Sequence, residues 1–134
     1  MAGLTVEDLV HVARRAVGDG VQVRDVGLLS AALGRVDACA YGREVYPTVP
    51  EKAAALLHSL ATTVPLVEGN RPFALAATLV FLAQAGQPSQ LSEQAAVDLV
   101  TGIVTGRLES VEEIAALLSA TGPACASANL PAGP

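Results

Sequence analysis

The sequence predicts an all-α protein with a single domain of about six helices. Apolar residues recur at helical spacing along most of the chain, good N-cap residues precede several of these segments, and no strong strand alternation is present. The length of 134 residues suits one domain, and 51% apolar against 16% charged residues exclude a disordered chain. Because aromatic residues make up only 3%, alanine, valine and leucine must form the core.

The first two predicted helices lie near the N-terminus. Thr5 and Asp8 have the spacing of a capping-box variant, in which a hydroxyl and a carboxylate bind the free amides of a first turn. Asp25 is a suitable N-cap for a second, shorter helix that ends at Gly34. Residues 35–49 lack helical periodicity and contain two tyrosines, which predicts a loop or a short hairpin over a site.

The third and fourth predicted helices flank a short polar turn. Pro50, whose φ suits a first helical turn, begins the third helix, and Pro65 marks its end. The fourth helix covers about 71–86, and ten of its eleven residues from 73 to 83 are apolar. A helix that is apolar on all sides is buried, so we expect this helix at the centre of the domain, with Asn70 as its N-cap.

Two more helices complete the predicted domain. The fifth covers about 92–105, and the sixth opens with the capping box Ser110-Val-Glu-Glu113. We therefore expect a folded domain over 1–122. Residues 123–134 are small residues, proline and glycine, which predicts a flexible C-terminal tail.

Charge and hydropathy exclude several classes of partner. The net charge is −5, so the basic surface that nucleic acid requires is absent. No apolar run approaches the length of a membrane span, and the N-terminus lacks the pattern of a secretory signal. The two cysteines, Cys39 and Cys125, are too few for a disulfide framework or a metal site. These features predict a cytoplasmic protein without nucleic-acid or membrane partners.

The stretch Glu68-Gly69-Asn70-Arg71 carries the clearest chemical signal, because it opens the fourth helix. A helix N-terminus offers free amides and a partial positive charge, which suit a phosphate. Gly69 would let the backbone approach a ligand closely, Asn70 would orient it and Arg71 would bind an oxyanion. Glu68 could hold Mg²⁺ beside a phosphate. The alternative is a plain turn and N-cap with two solvated charges.

Five stretches give the chain a resemblance to the Fic/Doc family, and to its Doc-type (death-on-curing) members in particular. They are Val26-Gly-Leu-Leu-Ser-Ala-Ala-Leu33, Gly42-Arg-Glu-Val-Tyr-Pro47, Glu51-Lys-Ala-Ala-Ala-Leu-Leu-His-Ser-Leu60, Val64-Pro-Leu-Val-Glu-Gly-Asn-Arg71 and Ala74-Leu-Ala-Ala-Thr-Leu-Val-Phe-Leu82. The resemblance implies an all-α fold with a small β-flap at about 39–48. It also implies transfer of a nucleotidyl or phosphoryl group to a protein side chain, and an antitoxin partner.

The family's central motif has the form His-Pro-Phe-x-Asp/Glu-Gly-Asn-Lys/Gly-Arg. This chain matches it at Pro65, Glu68, Gly69 and Asn70, but carries Val64 for the His, Leu66 for the Phe, Arg71 at the Lys/Gly position, Pro72 for the Arg and Phe73 for the small polar residue after it. In the family the His is the general base, a function that typically contributes about 10²- to 10⁴-fold and that valine cannot perform. Pro72 removes both a guanidinium and a backbone N–H.

No other residue is an obvious replacement for that base. His58 lies six residues before Val64 on the same helix, a rotation of about 600°, so it faces away. We expect His58 to be a structural or surface residue and His11 to be solvated. Cys39 has no base near it in the sequence and is not expected to be a nucleophile.

Three functions remain open after these observations. The first is a pseudoenzyme that binds a protein or a nucleotide, with Gly69, Asn70 and Arg71 as the binding residues and Glu68 as the magnesium ligand. The second is an enzyme repurposed for a small apolar substrate, with Glu68 and Arg71 as candidate catalytic groups. Its expected pocket-lining residues are Val64, Leu66, Pro72, Phe73, Tyr41 and Tyr46. The third is a toxin with unorthodox chemistry on a translation factor. Candidate partners are a small molecule or a nucleotide with Mg²⁺, and an antitoxin-like or other protein; a homo-oligomer is also open.

Overall fold

A computed structural model describes residues 4–119, and within them the chain forms six helices and one two-stranded hairpin. The predicted tail at 123–134 lies outside the described residues. In chain order the elements are α1 (Val6–Ala16), α2 (Val26–Val36), β1 (Cys39–Ala40), β2 (Arg43–Glu44), α3 (Val49–Thr63), α4 (Asn70–Gln84), α5 (Glu93–Val104) and α6 (Val111–Ser119). The predicted all-α class and the number of helices are confirmed. Among residues 4–119, no helix is long and apolar enough to cross a membrane.

Local capping explains where most helices begin. The capping box of Thr5 and Asp8 forms as predicted. A second capping box, from Thr48 to Glu51, starts α3 and was not predicted. The prediction that Gly34 ends α2 is wrong, because the helix continues to Val36 and its buried face holds the last turn against the core.

The predicted hairpin is present at Cys39–Glu44. Cys39 pairs with Glu44 and Ala40 with Arg43 in an antiparallel register. Tyr41 and Gly42 form the turn, with φ of 54° and 78°. Positive φ at both central residues is the geometry of a type I′ turn, which matches the twist of the two strands. We call residues 39–47 the flap.

The core is centred on α3. This helix packs against α2, α4, α5 and α6, and most of its residues are buried. The alanines Ala53, Ala54 and Ala55 allow the neighbouring helices to approach closely. The α4 helix was predicted at the centre. It is a core helix, but it is buried along one face only, so α3 occupies the centre instead.

Candidate functional site

The candidate site lies in the motif loop, residues 64–69, which joins the end of α3 to the start of α4. Val64 is the C-cap of α3 and has a left-handed backbone, with φ 54° and ψ 62°. Its side chain is 42% exposed. A β-branched residue in this region is strained, so the surrounding structure must hold Val64 in place.

The α1–α2 linker, residues 21–25, holds the motif loop. The Arg24 guanidinium donates from Nε to the Val64 carbonyl at 2.8 Å and from Nη2 to the Thr63 carbonyl at 2.9 Å. The Pro65 carbonyl accepts from the backbone N–H of Arg24 at 2.7 Å. Arg24 therefore binds the last carbonyls of α3, where a positive charge is favourable, and fixes the strained residue.

Backbone pairing extends this attachment along the loop. Val23 and Leu66 form an isolated antiparallel bridge, and the Val67 N–H donates to the Gln22 carbonyl at 3.0 Å. The motif loop thus behaves like a short strand against the linker. Its shape depends on backbone groups that a side-chain substitution does not remove.

Asn70 holds the motif loop from within. Its Oδ1 accepts from the Leu66 N–H and its Nδ2 donates to the Leu66 carbonyl, both at 2.9 Å. The prediction that Asn70 is the N-cap is wrong, because Gly69 is the N-cap and Asn70 is the first residue of α4. The Asn70 amide therefore shapes the turn, and both of its polar atoms already have a partner.

Gly69 is required by two features of the turn. Its φ is 82°, and a Cβ at this position would lie 2.6 Å from Cγ2 of Val17, a residue at the end of α1. Side chains rarely adopt that φ, and the contact is far shorter than van der Waals distance. The close approach that Gly69 allows is therefore to Val17.

Glu68 and Arg71 face two different depressions. Glu68 lies in a cleft of about 350 Å³ whose other wall includes Gly18, Gly20 and Gln22. Arg71 lies on a groove of about 220 Å³ between α4 and α5. Neither side chain forms an ion pair within residues 4–119. These two candidate catalytic residues are therefore not brought together in one pocket.

The predicted pocket-lining residues do not converge. Leu66 and Phe73 are fully buried in the core, so they offer no surface to a ligand, and Tyr41 at the tip of the flap is fully exposed. The expectation that these three line one cleft is therefore corrected. The apolar motif substitutions at 66 and 73 fill the interior because both positions face the packed helices. Val64 is at the surface, and Pro72 forms part of the α4–α5 groove.

His58 belongs to a polar cluster between α2 and α3. Arg35 contacts His58 Nδ1 at 3.0 Å and donates to Ser59 Oγ at 2.9 Å and Tyr46 Oη at 3.2 Å. Its guanidinium also lies 5.6 Å from the centroid of the Tyr46 ring. Burial, and then the charge of Arg35, lower the pKa of His58, while Glu109 acts in the opposite direction. The His58 side chain therefore contacts Arg35 in this cluster and not the motif loop, which agrees with the predicted helical rotation.

A partly buried ion pair connects the flap to α3. Lys52 is 4% exposed, and its Nζ lies 2.5 Å from Oε2 of Glu44 on β2. The hydrogen bond from Lys52, together with its charge, holds the pKa of Glu44 below the ordinary value of 4.5. Glu44 is the acceptor of this pair and is itself largely exposed.

Comparison with known proteins agrees with this fold and motif. Residues 3–82 match the model of the Fic/DOC family, which is more than half of the chain, so the protein belongs to the Fic/DOC family. The chain is also 47% identical over 76 residues to Toxin Doc of Mycolicibacterium smegmatis. The aligned region covers 57% of this chain and 58% of that relative. The chain is therefore a Doc-like member of the family.

Several residues that build the site carried little signal in the sequence. Arg24 lies about forty positions from the carbonyls it binds, and Val17 lies about fifty positions from Gly69. Contacts between residues so far apart in the sequence produce no periodic pattern from which they could be predicted. Lys52 did offer a clue, because it is the only lysine in the chain and follows a helix start directly in an apolar run.

Proposed function

We propose that this protein is a Doc-like pseudoenzyme that does not transfer nucleotidyl or phosphoryl groups and acts by binding. A protein partner of the antitoxin kind is the favoured partner, since the relative from M. smegmatis is named Toxin Doc. The binding surface is the start of α4 with the two charged residues beside it, Glu68 and Arg71. In this proposal the transfer activity is lost while the motif loop keeps its shape.

One observation carries this proposal: the position of the family's general base holds an exposed valine in a loop that is otherwise fully formed. The charged group that reaches this position is the guanidinium of Arg24, which donates from Nε and Nη2 to the carbonyls of Val64 and Thr63. A guanidinium stays protonated near neutral pH and cannot accept a proton. His58 is held by Arg35, and its side chain contacts a different part of the fold.

The start of α4 keeps part of its anion-binding capacity. The amides of Asn70 and Arg71 have no partner within the helix, because the first turn lacks preceding carbonyls, whereas Pro72 has no N–H to offer. Glu68 supplies one carboxylate, and no cluster of three or more metal-ligating side chains occurs in the described part of the chain. A Mg²⁺ ion at Glu68 would therefore need the phosphates of a bound nucleotide for its other ligands.

A labelling experiment tests the loss of chemistry. Purified protein is incubated with Mg²⁺ and radiolabelled ATP in a bacterial translation extract, and no protein is expected to become labelled. The double variant V64H and P72R, which supplies a base and an arginine in the same loop, is the positive control. Labelling by the natural protein that disappears in Glu68→Gln would contradict the proposal and favour a toxin with unorthodox chemistry.

A binding experiment tests what the α4 start recognises. Calorimetric titration with Mg²⁺-ATP is compared in the natural protein, in Arg71→Gln and in Arg43→Gln, an exposed arginine on the flap. If a nucleotide is bound, Arg71→Gln should weaken the affinity about tenfold or more, because it removes a charge-assisted contact, while Arg43→Gln should not. If no heat is detected, the proposal rests on a protein partner, which co-purification from the source cells must then show.

The α4–α5 groove favours a second candidate function, in which a repurposed site binds a small anion that carries an apolar chain. Its apolar lining consists of Pro72, Leu75, Val97 and Val100, and Arg71 stands at its edge as the charged member of the lining. The groove has a volume of about 220 Å³, below the roughly 300–1,000 Å³ of pockets for drug-sized ligands, so it suits a smaller ligand. A medium-length alkyl carboxylate has an apolar chain that would contact the lining and a negative charge that would pair with Arg71.

Matched ligands test this second candidate. Saturation-transfer NMR with octanoate, octanol and octylamine should give the strongest signal for octanoate. Arg71→Met should abolish the preference for octanoate over octanol while leaving weak apolar binding. Equal signals for the three ligands, or an octanoate signal that survives Val97→Glu on the opposite wall, would exclude this groove as the site.

A further inference from the structure

Lys52 is a buried charge at the base of the flap. It is the only lysine in the chain, and its side chain is 5% exposed. An ammonium group has three donors, and within the described residues Glu44 provides the one acceptor for this group. A buried ammonium without a counter-ion is strongly unfavourable, so the position of Glu44 controls the state of Lys52.

Glu44 reaches Lys52 only because the flap lies against α3. Strand β2 consists of the exposed residues Arg43 and Glu44, and it pairs with the exposed strand β1. Four residues of strand contribute little apolar burial, so the hairpin alone cannot hold this position. The ion pair is therefore a principal attachment of the flap to the core.

A second attachment follows two residues later. Tyr46 accepts a hydrogen bond from Arg35 and stacks against its guanidinium, and Arg35 in turn binds His58 and Ser59 on α3. Both attachments lie on the β2 side of the hairpin. On the β1 side, the exposed Cys39 pairs with Glu44 in the hairpin, and within residues 4–119 its thiol donates only to the nearby Asp37 carbonyl, not to α3. The hairpin can therefore move about the Tyr46 attachment when the ion pair breaks.

We propose that the Lys52–Glu44 pair is a latch that keeps the flap closed, and that opening the flap exposes Lys52. Movement of Glu44 away from α3 leaves the buried ammonium without its acceptor, so opening also draws the ammonium into water. Flap opening and exposure of Lys52 occur together, because a buried ammonium without a counter-ion is too unfavourable to persist. This inference is independent of any loss of chemistry in the motif loop.

The single lysine makes this latch directly measurable. The protein is treated with an acetylating N-hydroxysuccinimide ester, a lysine-containing model peptide is added as an internal standard, and the modification at Lys52 is followed by peptide mass spectrometry. In the natural protein Lys52 should react about a hundredfold more slowly than the peptide, since reaction requires local opening. Glu44→Gln should accelerate the reaction about tenfold or more.

Arg43→Gln is the matched control, because Arg43 occupies the same exposed strand and forms no ion pair in the described structure. It should leave the Lys52 rate unchanged. Equal rates in Glu44→Gln and the natural protein would overturn the proposal, as core packing alone would then protect Lys52. Equal acceleration by both variants would overturn it too, because the flap would then be sensitive to any change.

Hydrogen exchange separates flap opening from loosening of the whole fold. The Val45 N–H donates to the Ala38 carbonyl at 2.9 Å and reports on the flap, whereas the Leu57 N–H lies in the middle of α3. Glu44→Gln should speed exchange at Val45 and leave Leu57 unchanged. Lys52→Met should also speed exchange at Val45, because opening then strands no charge. If Leu57 accelerates in step with Val45, the effect is global and the latch is refuted.

Discussion

The motif loop and the flap flank the same helix, α3, but they are held in different ways. The motif loop is held through its own backbone groups, which pair with the linker, accept from the Arg24 guanidinium and bind the Asn70 amide that closes a turn on Leu66. The flap is attached by side chains, Glu44 on Lys52 and Tyr46 on Arg35. Backbone attachments survive substitution of a catalytic side chain, so the motif loop keeps its shape without the histidine. The flap depends on charges and responds to their loss.

The largest expected effect is at Gly69. Gly69→Ala should lower the free energy of unfolding by about 3 kcal/mol, through backbone strain and the contact with Val17, and urea denaturation measures it. Gly42→Ala in the flap is the matched control, since its φ is also positive but no atom lies within 4 Å of the added Cβ. It should cost about 1 kcal/mol. Equal losses would show that the Val17 contact is unimportant; Val17→Ala should partly rescue Gly69→Ala.

Arg24 should show a smaller effect. Arg24→Ala removes two charge-assisted hydrogen bonds to carbonyls at the end of α3, and because the group is exposed we expect a loss of about 1 kcal/mol in urea denaturation. Arg24→Lys should retain part of it, since one ammonium cannot span both carbonyls as the planar guanidinium does. Full stability in Arg24→Ala would mean that backbone pairing alone fixes the motif loop.

Replacement of Val64 should stabilise the protein. Val64→Asn should raise the free energy of unfolding by about 0.5–1 kcal/mol, because asparagine tolerates a left-handed backbone better than valine. Val67→Asn changes another exposed valine of the same loop whose φ is not positive, and it should bring no gain. A thermal melt of both variants decides the point. A loss of stability in Val64→Asn would show that the Val64 side chain makes contacts that outweigh the strain.

The pH dependence of the flap is the smallest expected effect. Lys52 lowers the pKa of Glu44 below 4.5, so the pair stabilises the fold above that pH and its contribution disappears as the pH falls through the lowered pKa. Unfolding free energies of the natural protein and Glu44→Gln should differ by a constant amount near neutral pH and converge in acid. Glu112 also has a lowered pKa, which the difference between the two proteins removes. A difference that stays constant from neutral pH into strong acid, with no convergence, would contradict the ion pair.

The elements were predictable where local chemistry decides them. The capping box of Thr5 and Asp8 predicted the start of α1, and the lack of helical spacing after α2 predicted a loop or hairpin where the hairpin forms. The motif loop was located from the motif residues, but its internal arrangement was not. Asn70 was expected to face a ligand, and the structure turns it back to Leu66 because the two backbone groups there have no other partner. The deep burial of α3 also escaped prediction, since an apolar run alone does not tell which of two core helices has more neighbours.

The closed turn between Asn70 and Leu66 has a consequence for the speed of recognition. A loop that is already ordered loses little conformational entropy when a partner arrives, so association should proceed as a docking of two preformed surfaces. The association rate constant should then lie in the ordinary range of about 10⁵–10⁷ M⁻¹s⁻¹ and depend on salt mainly through the charges at the rim. Differences in affinity among relatives that share this turn would accordingly appear in the dissociation rate constant of the complex.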